Sequence, residues 1–426
     1  METPLTQNIR PGQPPLGIED YMKAGGYRAA HKALTTMSPA DIINLISQSK
    51  LRGRGGAGFP TGAKWSLIPT AELPPTTHYL IANADEMEPG TFKDRFLLEG
   101  DPHQLIEAII ITAYAIQAHI SYIFLRGEYH MAQRRLQQAI MEAAAKSYLG
   151  TDILHSGFNL SIHVHTSGGR YICGEETALL SALEGKRAVP RAKPPFPQIS
   201  GLWGKPTIVN NVETLSNIPH IINNGANWFS NLGLGEDGGT KLYGASGHVR
   251  RPGIWELPMG TSLRDIIEIH AGGMKDGYEL RAVLPGGAST SFLTPEHLDV
   301  AMNYASVEKL GSRLGTGAVI ALDQKTCPVG MIRNLEHFFA QESCGWCTPC
   351  RDGLPWVEHL LTSIESGEGQ EEDLEILQQH LGLLGMGRTF CAHAPGAMAP
   401  LASGLKYFRA DFERHIHEKH CPWSEK

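Results

Sequence analysis

Along the first half of the chain the apolar positions switch repeatedly between a period of two and a period near 3.6, as expected of strands alternating with helices. His78-Tyr-Leu-Ile-Ala-Asn83 predicts a strand, 105–117 a helix, 120–125 a strand and 132–146 a helix. A strand over 158–165 and a helix over 177–183, ended by Gly185, follow. Upstream, Ser38-Pro-Ala-Asp-Ile-Ile-Asn-Leu-Ile-Ser reads as a capped helix that must stop before a cluster of glycines at 53–58. The Pro/Gly-rich opening residues predict an extended arm, a simple tail or at most a contact element. Strands and helices in this alternation argue for a parallel sheet with helical crossovers, whose ligands sit beyond the carboxyl ends of the strands. Asn83-Ala-Asp-Glu-Met-Glu-Pro-Gly90 and Gly168-Gly-Arg-Tyr-Ile-Cys-Gly-Glu-Glu176 fall at such ends.

From about 242 to 293 the helical pattern thins to short strand-like runs (241–244, 281–285) around a single helix at 262–270, which predicts a small separate α+β module. Beyond Cys327 the helical period returns over 329–341, 354–366, 371–384 and 400–418, a four-helix bundle with cysteines at the helix ends. At 426 residues, 42% hydrophobic and 19% charged, the chain has material for two or three cores. A formal charge of −7 and a pI near 6.3 give no attraction to nucleic acid or anionic lipid. The longest apolar stretch, 108–116, falls well short of the roughly 20 residues of a membrane span. The N-terminus shows neither an apolar export core nor an arginine-rich amphipathic pattern, and a cytoplasmic location is expected.

Four of the seven cysteines stand in two tight motifs, Cys344-Gly-Trp-Cys347-Thr-Pro-Cys350 and Thr389-Phe-Cys391-Ala-His. Three thiols on one loop and a fourth from another match the corners of a [4Fe-4S] cubane. Structural zinc more often pairs two facing Cys-x-x-Cys knuckles, so zinc is the weaker alternative. Cys173, Cys327 and Cys421 have no such neighbours and read as small buried apolar side chains.

The loop Arg52-Gly-Arg-Gly-Gly-Ala-Gly58 formally contains G-x-G-x-x-G through Gly53, Gly55 and Gly58, but a helix precedes it and Pro60 follows, unlike a dinucleotide fingerprint. It offers unobstructed backbone N–H groups beside Arg52, Arg54 and Lys64, suited to a phosphate or a flat ring. The acidic residues Asp85, Glu86, Glu88, Glu175 and Glu176 read equally as solvated turn or helix-start carboxylates and as ligand contacts.

These segments, together with Gly174-Glu-Glu-Thr-Ala-Leu-Leu180, Pro206-Thr-Ile-Val-Asn-Asn-Val-Glu-Thr214 and Glu342-Ser-Cys-Gly-Trp-Cys-Thr-Pro-Cys-Arg351, resemble the flavin-carrying, NADH-binding subunit of NADH:quinone oxidoreductase (complex I). The resemblance runs from about Gly17 into the C-terminal bundle. It implies a Rossmann-like α/β domain holding FMN (1–240, with the arm), a ubiquitin-like β-grasp module of the SLBB type (241–328) and a four-helix [4Fe-4S] domain (329–426). By the same resemblance Gly55, Gly56, Lys64, Asn83, Asp85, Gly174, Glu175, Asn210, Asn211 and Thr214 surround FMN, and Gly53, Gly58, Glu86 and Tyr171 are further expected cofactor contacts. Phe59 and Phe196 would stack on the adenine of NADH, with Glu88, Glu176 and Lys193 contacting the dinucleotide and Glu176 limiting product and superoxide retention. Leu67 departs from the aromatic residue that some members carry near the adenine. The implied partners are a thioredoxin-like [2Fe-2S] subunit and a large iron–sulfur subunit, with indirect attachment on the cytoplasmic side of the inner membrane. Diaphorase subunits of NAD-linked hydrogenases and formate dehydrogenases share the motifs, but many carry extra ferredoxin-like cysteine sets not found here. A non-catalytic, zinc-stabilised nucleotide-binding scaffold is the alternative from another class.

Overall fold

A computed structural model describes residues 2–69 and 77–424. The outer limits of the expected 1–240 and 329–426 spans, and residues 70–76, lie outside the described residues. The chain divides into two compact units. One comprises Met1–Met87, Phe92–Leu242 and Trp255–Thr261; the other Glu88–Thr91, Tyr243–Ile254 and Ser262–Lys426.

The first unit is built on four parallel strands, β1 (His78–Ala84), β2 (Ala118–Leu125), β3 (Ser161–Thr166) and β4 (Thr207–Asn211), in the order β3-β2-β1-β4. Helices Lys93–Gly100 and Pro102–Ala115 connect β1 to β2, His130–Ala145 leads to β3, and Glu176–Leu183 lies before β4. The Pro102–Ala115 helix is buried almost all round, which explains its near-continuous apolar run. The chain proceeds β1 to β2 to β3 in one direction, then β4 returns to the other side of β1. The strand order therefore reverses between β1 and β4, the place where sheets of this kind hold ligands in a crevice beyond the carboxyl ends of the strands.

The opening residues are not a loose arm. Leu5 is fully buried, and the backbone N–H groups of Leu5 and Thr6 and the Thr6 hydroxyl donate to the Glu256 carboxylate at 2.9–3.0 Å. Asn8 donates to Asp101 and Gln104 to the Leu5 carbonyl, so buried polar groups on the body, unmarked by periodicity, anchor the segment. Two further helices, Ile18–Lys23 and Arg28–Thr36, follow before the helix Pro39–Gln48, capped by Ser38 as expected, with Asp41 completing a capping box.

A second sheet has the order β6-β5-β8-β7, from β5 (Thr240–Gly247), β6 (Gly253–Pro258), β7 (Leu280–Leu284) and β8 (Ala318–Asp323); Thr240–Leu242 of β5 and Trp255–Pro258 of β6 count with the first unit, the rest with the second. Residues 244–247 of β5 run parallel to β8, and β7 runs antiparallel to it. The helix expected at 262–270 is a π-helix, Asp265–His270. The C-terminal region holds five helices among the described residues: Pro328–Glu342, Thr348–Ser366, Glu371–Leu383, His393–Tyr407 and Arg409–Glu418. The single helix expected over 400–418 is thus two. Phe408 leaves helical angles (φ −123°, ψ 20°) while its buried ring meets Phe292 edge-on at 5.3 Å. That packing interrupts a helical sequence period which runs straight through the break.

Candidate functional site

The reversal point of the parallel sheet is lined from segments far apart in sequence. Asn83 on β1 pairs in register with Asn211 on β4, and Ala82 with Asn210, placing three asparagines at the crevice. Asn210 accepts from the Trp65 indole at 2.9 Å, Asn211 caps the following turn through Glu213 N, and Asn83 Oδ1 accepts from Asp85 N. The glycine loop is held against this edge. Arg54 N donates to the Thr214 hydroxyl at 2.8 Å, and Lys64 Nζ to the Val209 carbonyl at 2.8 Å. Gly55 lies so near that a Cβ would stand 3.1 Å from Asn211 Cβ, a tight contact, and Gly56 has φ +126°, a backbone conformation that favours glycine. Gly53 N bonds Phe59 O and Arg52 Nε bonds Gly58 O, closing the loop on itself.

On the opposite flank Tyr171 begins a 3-10 turn, Tyr171–Gly174, that leads into Glu176–Leu183. Glu175 caps that helix, accepting from Thr177 N and Ala178 N, and pairs with Lys193 at 3.1 Å. Glu176 lies between Lys64 at 2.7 Å and Lys193 at 2.9 Å. Burial pushes the Glu176 carboxyl up, but the two ammonium groups prevail and hold it below the usual carboxylate range. A Cβ built at Gly174 meets no atom within 4 Å, so the backbone there faces open space. Phe59 and Phe196 expose about half their surface, 53% and 52%, and Leu67 is likewise half exposed. Open backbone beside glycines, asparagine amides, paired lysines and exposed aromatic faces fit a flat, anionic, ring-bearing cofactor.

Two expected contacts also have protein partners. Glu86 is buried, and its oxygens accept from Asp94 N, Arg95 N and the Tyr129 hydroxyl, tying down the start of the Lys93–Gly100 helix. Glu88 belongs to the second unit, where Oε1 accepts from Ser289 N at 2.7 Å. Asp85 accepts from the Ser167 hydroxyl at 3.0 Å.

Sequence reasoning missed a buried ionic cluster behind the crevice. Fully buried Glu213 meets Lys93 at 2.7 Å and Lys241 at 3.2 Å; Lys93 also meets Asp94, which accepts from Asn211 at 2.6 Å. Buried Arg54 donates to the carbonyls of Gly238 and Thr240. Burial pushes Glu213 up, but the cations around it win and keep it ionised. Nothing in composition marks these charges as interior, since such residues are ordinarily solvated.

In the second unit the four motif cysteines sit at two helix starts. Cys344 precedes and Cys347 caps Thr348–Ser366, Cys350 lies in its first turn, and Cys391 precedes His393–Tyr407. Burial pushes the Cys350 thiol up to about 12, with Cys347, Cys391 and Cys344 adding to the effect, so the four thiols lie within electrostatic reach. Thiols placed at or beside two helix N-termini suit a thiolate-ligated, net-anionic cluster. Cys350 Sγ also meets the Ser343 hydroxyl at 3.2 Å. Cys173 is buried as expected, but Cys327 and Cys421 are not simply buried apolar groups: both are half-buried, with sulfurs close to the His415 imidazole.

Family models match three stretches: a Nuo51 FMN-binding domain over residues 46–220, an SLBB domain over 245–293, and an NADH-ubiquinone oxidoreductase-F iron-sulfur binding region over 330–415. The F subunit of NADH-quinone oxidoreductase from Escherichia coli K12 is 55% identical over 97% of this chain and 93% of its own length. The F 2 subunit of the same oxidoreductase from Rhizobium meliloti is 51% identical over 95% and 96%. Among solved structures, an air-oxidised NAD+-reducing [NiFe]-hydrogenase chain matches with a TM-score of 0.80 at 35% identity over 91% of this chain. The present chain spans 64% of that hydrogenase chain. Among the described residues no helix is long and apolar enough to cross a membrane. With identity sustained across all three matched regions, the chain belongs to the family of NADH-quinone oxidoreductase F subunits.

Proposed function

We propose that this chain is the electron-input subunit of a complex I-type enzyme, oxidising NADH at FMN held in the β1/β4 crevice and delivering electrons to a [4Fe-4S] cluster on Cys344, Cys347, Cys350 and Cys391. The observation that carries this reading is the convergence of the glycine loop, Asn83, Asn210, Asn211 and the Lys64–Glu176–Lys193 set at the reversal point of the sheet. When bound, FMN accepts a hydride and the cluster carries single electrons.

The chain's own task is to position and to exclude. Gly53, Gly55, Gly56 and Gly58 let the backbone approach the flavin, while Asn83, Asp85, Tyr171, Gly174, Glu175 and Thr214 border it. Phe59 and Phe196 present ring faces for the adenine, and Lys193 pairs with the dinucleotide's charge. Glu86 and Glu88 contribute through the backbone they order. The spans 1–240, 241–328 and 329–426 serve as flavin, linking and cluster modules. Exposed Trp346, Met386 and Phe390, neighbours in sequence of the cluster cysteines, suit contact with a thioredoxin-like [2Fe-2S] subunit or a large iron–sulfur subunit. Those partners would hold the chain on the cytoplasmic side of the inner membrane.

The test is the visible spectrum of anaerobically purified protein before and after NADH, with FMN and metals quantified. One FMN and about four cluster irons per chain, with flavin bleaching on NADH, are expected. Zinc at the four motif cysteines without flavin would remove the catalytic claim. The hydrogenase likeness favours a second reading, a diaphorase of a hydrogen-oxidising complex. Hydrogen-dependent NAD+ reduction by the native complex would establish it in place of quinone reduction.

Glu175 and Glu176 together balance Lys64 and Lys193. Glu176→Gln leaves one positive charge in excess beside the anionic dinucleotide, an attraction of about 1 kcal/mol at a partly buried site, or roughly fivefold. Slower NAD+ release and altered peroxide production are expected in stopped-flow and oxidase assays. If both stay at wild-type values, Glu176 has no part in product release.

A further inference from the structure

Distinct from the four motif cysteines, three side chains of the second unit, from separate segments, form a compact ligand set. Cys327 is the N-cap of Pro328–Glu342, His415 lies on Arg409–Glu418, and Cys421 follows that helix. One ligand atom from each lies within 4.8 Å of the other two, and Cys327 Sγ stands 3.3 Å from His415 Nε2. Around tetrahedral zinc, with Zn–S about 2.3 Å and Zn–N about 2.0–2.1 Å, ligand atoms separate by roughly 3.5–3.8 Å, which fits within these distances.

The surroundings prepare the donors. His415 Nδ1 lies 2.7 Å from the Asp411 carbonyl, an acceptor only, so Nδ1 carries the proton and Nε2 directs its lone pair toward the sulfurs. Burial, with Cys421 beside it, pushes the Cys327 thiol up to about 12; Gly330 N, donating to Sγ at 3.2 Å, works the other way, and a bound cation would supply the charge that a thiolate pair needs there. The tail holding Cys421 is ordered independently of the thiol. Trp423 stacks on the His415 ring, with centroids 5.8 Å apart and planes 16° apart, and its indole donates to the Gln324 carbonyl at 3.1 Å. Two cysteines cannot ligate a cubane, which takes four thiolates, whereas two thiolates and one neutral imidazole around Zn2+ give an uncharged centre suited to a partly buried place.

We propose that Cys327, His415 and Cys421 bind one zinc ion, with a water completing the tetrahedron, in a centre that joins the first turn of the C-terminal helical region to the tail beyond its last helix. The ion closes a loop that contains both cluster motifs, and it acts structurally, not in electron transfer.

The test uses the untagged holoprotein, with zinc, iron and FMN measured together after removal of loosely bound metal. One zinc per chain is expected beside the cluster iron, with zinc-edge X-ray absorption showing two sulfurs near about 2.3 Å and one nitrogen near about 2.0 Å. Cys421→Ser, placed in the tail beyond the helices, and His415→Gln should each lower zinc at least tenfold while iron and FMN remain at wild-type content. The proposal is overturned by a protein that contains no zinc and takes up none when Zn2+ alone is added under reducing conditions. Zinc unchanged in Cys421→Ser, or a Cys327–Cys421 disulfide in anaerobically isolated protein, overturns it equally.

Discussion

Cys347→Ser abolishes the iron–sulfur signal and leaves a yellow protein that still reduces ferricyanide with NADH. A cubane is held by four thiolates, and a serine hydroxyl at the cap of Thr348–Ser366 is a poor replacement for one of them. Iron content should fall to near zero. Electron flow to quinone in the assembled complex should fall by at least about a hundredfold, because the cluster's place in the chain of carriers is lost. Flavin content should remain within about twofold of wild type, and so should the ferricyanide rate. The reason lies in the division of the chain: the glycine loop, Asn83, Asn211, Thr214, Lys64 and Glu176 all belong to the first unit, and the four cysteines to the second. Iron and FMN quantified on one preparation check the result. Loss of flavin with the iron would mean that the two units do not hold their cofactors independently, and retained iron would mean that Cys347 is not a ligand.

The parts legible in the sequence are those governed by local rules. The helix cap at Ser38, the strands over 78–83 and 120–125, within a residue or two of the observed ends, and the cysteine motifs announce themselves by period or spacing. Recognising the family joined the glycine loop to the asparagines, which no local rule connects; the strand register then placed Asn83 beside Asn211. What stayed hidden depends on contacts distant in sequence. Leu5 gives no sign that its amide is bound for Glu256. Phe408 breaks a helix by packing on Phe292, not by any breaker residue. Cys327, His415 and Cys421 have no metal-binding spacing, because the fold alone brings their ligand atoms together. The hardest feature to foresee is the interior charge cluster, since Lys93, Glu213 and Lys241 look like ordinary surface residues when read along the chain.

That cluster carries the largest expected effect on stability. Glu213→Gln removes the anion facing two buried ammonium groups, Lys93 and Lys241, and the carboxylate acceptor of Leu242 N. Lys93 keeps Asp94, but Lys241 is left inside the protein without a counter-charge. Breaking a buried ion pair on one side costs about 3–5 kcal/mol, a large share of the net stability of a typical domain. The damage should reach the crevice as well. Lys93 and Asp94 both contact Asn211, and Glu213 N donates to that same asparagine's Oδ1 at the carboxyl end of β4. FMN affinity should therefore fall together with stability, whereas iron on the four cysteines of the second unit should stay. Denaturant unfolding followed through flavin fluorescence, with iron assayed on the same samples, separates these outcomes. A variant as stable as the wild type, with flavin still bound, would show that Lys241 is neutral in the native protein and that Lys93 with Asp94 suffices to hold Asn211 in place.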